Sequence, residues 1–298
     1  MRLTDITSSG SFLRIIELFP PGLPMPQISN NPDKLDLTLR FDRLVENVQK
    51  LESLADGFSL PELMDEQRIH LNSVAVASEL KRKTGNTIIP TLTLRDSNRQ
   101  NLLGSIAYAI YSGIENILVV RGDPYPVSKN SAPKNVYDLG RVSDLVSLVR
   151  RLEDNLSSDS KLCIMSPINL TRSADPGYME TIRSRESAGV DIFVAESFFE
   201  DIDSYFSRLD SIRNSRIKDP IIHSIFPLKN YEDGIACKEK FGWSITKEEL
   251  AGLKTQGSEY GLEMARKRYH ALIDRAEKAH GASISTRGNS ELARQITS

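Results

Sequence analysis

Four carboxylates and one arginine of this chain fall where strands should end, and such positions can hold and protonate a small ligand. The run Ile117-Leu118-Val119-Val120 is apolar and mostly β-branched, the pattern of a strand buried on both faces. Arg121, Gly122 and Asp123 follow at once, and Pro124 ends the pairing because it has no amide hydrogen to give. Glu17 interrupts a second apolar run, Phe12 to Phe19, before Pro20-Pro21-Gly22 closes it. A carboxylate in an apolar strand must be paired, protonated or used. Arg121 and Asp123 could instead merely cap a turn, and Glu17 could form a structural ion pair.

These groups need a scaffold, and an alternation of strand and helix patterns supplies one. Strands are expected at 12–19, 56–60, 87–94, 117–120, 162–166, 192–195, 221–226 and 282–285. Between them run helical patterns: 35–54, 74–80, from Ser97 as a cap to 112, 142–152, 176–188 closed by Gly189, and 202–212. Further helices are expected through Ala236, from Lys247, and as one long helix from Gly257 to Ala279. Pro90 weakens the third strand. Eight such units without a Pro- or Ser-rich linker predict one (β/α)8 TIM barrel over residues 1–298, with a polar tail after about 291 and a loop from Tyr125 to Pro133. A doubly wound open sheet is the alternative. It would want a glycine-rich dinucleotide fingerprint, which Arg121-Gly122-Asp123-Pro124 is not.

In a barrel the carboxyl ends of the strands share one mouth. Glu17, Ser59, Thr91, Thr93, Asp96, Arg121, Asp123, Ser166, Glu196, Ser197, His223 and Thr286 would all stand there. An acidic mouth suits a neutral or cationic heteroaromatic ring and can donate protons to it. Glu196 could also cap the helix beginning near Glu200, and His223 reads better as a core histidine than as a catalyst.

Composition removes other classes of function. With 38 basic and 40 acidic residues in 298, there is no field to draw nucleic acid or an anionic membrane. No apolar run is long enough to cross a bilayer, and Met1-Arg2-Leu3-Thr4-Asp5 lacks the stretch of a secretion signal, so a cytoplasmic protein is expected. Cys163 and Cys237 read as reduced core thiols. Four histidines without metal-binding spacing predict no metal site, and no G-x-S-x-G elbow points to covalent hydrolysis. A barrel lyase or aldolase would want a lysine at a strand end, and none is found there.

Several segments resemble one family in one order along the chain. Glu17-Leu18-Phe19-Pro20-Pro21 resembles the Glu-Phe-Phe-Pro-Pro segment of methylenetetrahydrofolate reductases. Arg95-Asp96-Ser97-Asn98-Arg99 with Leu102-Leu103-Gly104 is similar to their Arg-Asp-Arg-Asn-Arg stretch. Gly113-Ile114 through Arg121-Gly122-Asp123-Pro124 resembles Gly-Ile-Arg-Asn-Ile followed by Arg-Gly-Asp. Ala188-Gly189-Val190-Asp191, Phe198-Phe199 and Ile225-Phe226-Pro227-Leu228 continue the series.

The resemblance implies a TIM-barrel oxidoreductase that reduces 5,10-methylenetetrahydrofolate to its 5-methyl form with NADH or NADPH, usually through FAD. It assigns the proton donor to Glu17 and a second site carboxylate to Asp123. Pterin recognition falls to Glu196, where the family commonly has glutamine, with Phe226 also at the substrate. Thr93, Arg121, Gly122, Asp123, Ser166 and Arg185 become the cofactor-binding set. Two departures bear on FAD: Ser166-Pro167-Ile168-Asn169-Leu170-Thr171 replaces Tyr-Pro and His-Pro-Glu, and Ser285-Thr286-Arg287-Gly288 replaces Tyr-Thr-Leu-Asn. A flavin-independent reductase, one using tetrahydromethanopterin, and a non-catalytic barrel subunit therefore stay open beside the flavoprotein. The expected partner is a folate-type small molecule, with no nucleic acid and no membrane. A homo-oligomer is neither required nor excluded.

Overall fold

The computed structural model describes residues 1–24, 37–62, 68–123, 136–156 and 161–298. In chain order its strands are β1 (Leu13–Glu17), β2 (Gly22–Pro24), β3 (Gly57–Leu60), β4 (Arg68–His70), β5 (Ile88–Thr93), β6 (Asn116–Val120), β7 (Cys163–Ile168), β8 (Ile192–Ala195), β9 (Ile221–Ile225) and β10 (Gly281–Ser285). All but β2 and β4 close into one parallel barrel in the order β1-β10-β9-β8-β7-β6-β5-β3. The expected (β/α)8 barrel is therefore the fold. β2 and β4 form a separate antiparallel pair that the sequence pattern did not announce.

The helices are α1 (Leu3–Ser8), α2 (Leu37–Leu51), α3 (Ser73–Thr84), α4 (Arg99–Tyr111), α5 (Val142–Asn155), α6 (Pro176–Ala188), α7 (Ile202–Asn214), α8 (Tyr231–Phe241), α9 (Lys247–Gln256), α10 (Ser258–Ile273), α11 (Ala276–Ala279) and α12 (Ser290–Thr297). None among the described residues is long and apolar enough to cross a membrane.

Strand alternation splits the core into two layers. Leu13, Ile15, Ile89, Cys163, Met165, Ile192 and Ile222 fill the barrel, and Leu3 of α1 joins them as a plug at the amino-terminal floor. The floor is tied by Asn116, which accepts from the Leu3 amide at 2.8 Å and donates to the Met1 carbonyl at 3.0 Å. The alternate residues, among them Ile16, Phe58, Ile88, Ile117, Ile164, Phe193 and Ile284, face the helices. The inner phase carried to the mouth gives Glu17, Ser59, Thr93, Glu196 and Ser285. The outer phase takes Ser166 and His223 away from it.

Local chemistry explains where the elements start and stop. Asn98, not Ser97, caps α4, its side-chain oxygen accepting from the Asn101 amide at 2.8 Å. Asp201, not Glu196, caps α7 by accepting from the Ser204 amide at 3.0 Å. Gly189 closes α6 in the left-handed region, as expected. Pro90 lies within β5, because the β-branched residues around it continue the ladder past one missing donor. The helix expected over 257–279 breaks at Asp274-Arg275 into α10 and α11, which turns the chain into β10. The polar tail is also corrected. Residues 290–297 form α12, whose Ala293 and Ile296 are fully buried against α10 and α2. Only two apolar residues of the whole helix face inward, so composition hides the stripe. Cys163 and Cys237 are free and buried, and burial pushes their thiols up to about 12 and about 11. Pro124 and the expected loop from Tyr125 to Pro133 lie outside the described residues.

Candidate active site

Glu17 ends β1 in the inward phase that Leu13 and Ile15 establish below it. Among the described residues its carboxyl has one hydrogen-bond partner, the Ser285 hydroxyl of the neighbouring strand, which donates to Oε1 at 2.7 Å. The Thr286 hydroxyl donates to the Glu17 carbonyl at 2.8 Å and fixes the strand end without touching the acid. Burial raises the Glu17 pKa, and the Ser285 bond offsets only part of that. No arginine or lysine pairs with it, so the structural ion pair is ruled out among the described residues. What remains is a desolvated acid beside the barrel mouth, able to hold a proton where an exposed glutamate would have lost it.

On the opposite wall the turn after β6 is held by buried groups. Gly122 has a φ of 85°, and a Cβ there would lie 2.4 Å from Thr93 Cγ2 and 2.9 Å from Arg95 Cβ. Only glycine lets the turn approach β5 so closely. Arg95, 4% exposed, donates to the Asp123 carbonyl and to Asp96 Oδ2 at 3.1 Å. It thereby sets the direction in which Asp123 leaves the strand. Arg121 is exposed and its guanidinium lies 5.1 Å from the Tyr137 ring centroid. Glu62, just beyond β3, reaches across to accept from the Thr93 amide at 2.9 Å. Burial raises the Glu62 pKa, against the bonds from Thr93 and the charge of Arg95.

The third wall carries Glu196 immediately after β8. Asn169 Nδ2, from the loop after β7, donates to Glu196 Oε2 at 2.9 Å, and Trp243 lines the cleft beside the same carboxyl. Burial and the nearby charge of Asp123 push the Glu196 pKa up to about 7, while Trp243 and the charge of Arg172 oppose the rise. Asp123 and Glu196 therefore feel one another across the mouth. Trp243 belongs to an aromatic group with Phe226, Phe199 and Phe241, its ring centroid 5.1, 5.2 and 4.8 Å from theirs. Arg287 covers one face of Phe226 at 4.5 Å and pairs with Asp233, Nη2 to Oδ1 at 2.9 Å. A narrow cleft of about 20 Å³ lies between Glu196, Asn169, Phe199 and Trp243.

The model of the family described as methylenetetrahydrofolate reductase matches residues 5–285. The chain belongs to this family. Two relatives are the 5,10-methylenetetrahydrofolate reductases of Salmonella typhimurium and of Buchnera aphidicola. The first is 26% identical over 218 residues, 72% of this chain and 64% of that protein. The second is 26% identical over 167 residues, 53% of this chain and 50% of that protein. The matched segment thus spans about half to two thirds of these relatives. A protein from Clostridium thermocellum, described as binding two copies of 5-methyl-5,6,7,8-tetrahydrofolic acid, shares the fold with a TM-score of 0.68. It covers 99% of this chain and 98% of its own at 13% identity.

The cofactor-binding set expected from the family does not assemble at one surface. Ser166 is fully buried and faces the helix layer, where Arg185 meets it. Arg185 Nη1 donates to the Pro167 carbonyl at 2.7 Å and reaches Ser166 Oγ at 3.4 Å, with burial lowering its pKa. Thr93 is 2% exposed, with its amide given to Glu62 and its methyl under Gly122. Of this set, Asp123 lies close enough for its charge to be felt at Glu196, while Arg121 is exposed against Tyr137. The described residues therefore do not fit a flavin by the route the resemblance assigned. His223 is likewise outside the mouth, its Nδ1 2.5 Å from the Tyr205 hydroxyl, and burial lowers its pKa to about 3.

Reading strand ends missed Glu62, Asn169 and Trp243. Glu62 lies two residues past β3 and could have been found by the same rule as Glu17. Trp243, the chain's one tryptophan, comes from the connection between α8 and α9, where no strand-end signal exists.

Proposed function

We propose that this chain reduces a 5,10-methylene-tetrahydropterin of the folate type to its 5-methyl form, with NADH or NADPH as the second substrate. The observation that carries the reading is Glu17: a buried acid with a raised pKa and, among the described residues, a single hydroxyl partner, at the mouth of a barrel of this family. The methyltetrahydrofolate bound by the Clostridium thermocellum protein supports a reduced folate as the ligand.

The chemistry asks for one proton and one hydride. Glu17 gives its proton to N10 of the substrate, the bond from N10 to the bridging carbon breaks, and that carbon becomes an N5-methylene iminium. Hydride from the dihydronicotinamide adds to this carbon, giving the methyl group and the oxidised nicotinamide. Glu17 regains its proton from water. Glu196 accepts from the 2-amino and N3–H groups of the pterin, which a carboxylate can take side by side. Asp123 adds negative charge near the developing cation, stabilising it before the hydride arrives. No step is assigned to a flavin, since the expected set for one is not joined.

The test is turnover by the purified chain. Supplied with 5,10-methylenetetrahydrofolate and NADH or NADPH under nitrogen, it should oxidise the nicotinamide in step with formation of 5-methyltetrahydrofolate. No turnover with either nicotinamide, with or without added FAD, would refute the proposal.

A further inference from the structure

The barrel interior changes character around Glu17. Following the strand register from β1 through β3 and β5 and on around the barrel comes back to the β1 chain eight residues before the starting point. In that direction, residues at one height therefore advance by one from each strand to the next. By this rule Ile15, Ile89, Met165 and Ile222 form one apolar layer. Two residues further along the same strands, Glu17, Thr91, Pro167 and Ser224 form the next. Between these layers the alternate strands set Ser59, Leu118, Val194 and Ser283. Inward positions of such barrels are normally filled by bulky branched side chains. Here a threonine and three serines stand around Glu17 instead, and such small polar groups leave room for water and hydrogen bonds to hold it.

Thr91 is 4% exposed, and its Oγ1 has no hydrogen-bond partner among the described residues. Its backbone carbonyl accepts from the Ser73 hydroxyl at 2.6 Å, which fixes β5 from the side of α3. The Thr91 side chain shares the inward phase of Ile89 and stands at the height of Glu17. A buried hydroxyl left without a partner is costly, so this one calls for an occupant. Glu17 has the matching vacancy in its bonding, because Ser285 donates to Oε1 and leaves Oε2 open. The flanking strands bring Ser285 and Ser59 to Glu17 and the strand beyond brings Thr91, none of them charged. Only burial and the Ser285 bond act on its acidity.

We propose that Thr91 is a positioning residue whose hydroxyl holds a water against Glu17, and that this water returns the proton the acid gives to its substrate. The inference rests on the reading of Glu17 as the proton donor and adds the group that resupplies it. After N10 has taken the proton, the water donates one along its hydrogen bond to the carboxylate and receives one from solvent at the mouth. One solvent proton is consumed per turnover, and the relay changes no oxidation state. The hydroxyl of Thr91 fixes the water, while Ser59 and Ser283 give the hollow its polar wall.

Thr91→Val keeps the shape of the side chain and removes only the hydroxyl, and Thr91→Ser keeps the hydroxyl. In ligand-free protein, infrared titration reads the carboxyl stretch of Glu17, with Glu17→Gln as the blank. A water bonded to the ionised acid lowers its pKa, so Thr91→Val should move the titration of Glu17 to higher pH. Thr91→Ser should leave it near the wild type. With 5,10-methylenetetrahydrofolate and a nicotinamide, Thr91→Val should lose about tenfold in kcat at unchanged KM, with a larger solvent deuterium isotope effect. Thr91→Ser should restore both. If the hydroxyl sits dry in the core, Thr91→Val will unfold at higher urea while the Glu17 titration stays in place, which would overturn the inference. A loss confined to KM would make Thr91 a substrate contact and overturn it as well. The infrared readout needs no turnover, so a failure of the reductase reading shows separately in the kinetic assay.

Discussion

Replacing Gly122 by alanine tests how the acidic turn after β6 is held. The new Cβ would stand 2.4 Å from Thr93 Cγ2 and 2.9 Å from Arg95 Cβ, both far inside van der Waals contact. Neither neighbour can yield cheaply. Thr93 is locked in the barrel with 2% exposure, and Arg95 is buried and committed to Asp96 and the Asp123 carbonyl. Left-handed φ costs alanine about 1 kcal/mol, and overpacking of this kind about 1–3 kcal/mol more. The sum, ~3 kcal/mol, should appear as a lower midpoint in urea unfolding with an unchanged slope. Gly113 supplies the comparison. Its φ is 74°, yet a Cβ there meets nothing within 4 Å, so Gly113→Ala should cost only the ~1 kcal/mol of backbone strain. If the turn lifts away instead, Asp123 loses its tether to Arg95, and turnover should fall together with stability. Equal stability losses in the two variants, with activity intact in both, would refute the crowding at Gly122.

Glu196→Gln should change stability in a pH-dependent way. The folded-state pKa is raised from 4.5 to about 7, so ionising Glu196 costs the native protein stability as pH rises through that window. At 1.36 kcal/mol per unit the ceiling is roughly 3 kcal/mol above neutral, lowered by weakening of the Asn169 bond. Thermal unfolding should show Glu196→Gln gaining relative to the wild type between pH 5 and 8, and a constant difference over that range would contradict the assignment. Ile296→Ala should cost about 3 kcal/mol in urea unfolding, because Ile296 is fully buried on α12, while kcat changes little. A loss below ~1 kcal/mol would mean that α12 does not seal the barrel wall.

The barrel was legible because its strands are short runs of β-branched residues, each followed by a helix with a cap or a glycine stop. The buried β6 run and the acidic residues after β1, β6 and β8 could be placed for the same reason: alternation fixes which residues face inward once a strand is recognised. Phase also decides which strand residues turn away from the mouth. Ser166 lies on a strand near the mouth, but its phase points it at the helices; His223 is the core histidine its context suggests. Arg185 followed Ser166 outward for the same reason. Trp243, Asn169 and Arg95 act from loops, whose course depends on tertiary contacts that no local pattern records. α12 is illegible in the sequence because its buried stripe consists of two residues in an otherwise polar segment.

In the proposed reaction Glu17 delivers the proton that opens the methylene bridge. Glu17→Gln keeps the shape and the contact with Ser285 but has no proton to give, so kcat should fall by about 10²-fold or more while the substrate still binds. In the wild type, kcat should decline as pH rises through the raised pKa of Glu17, because the acid form carries the reaction. A Glu17→Gln protein that reduces 5,10-methylenetetrahydrofolate at the wild-type rate, with the same alkaline limb, would contradict the account.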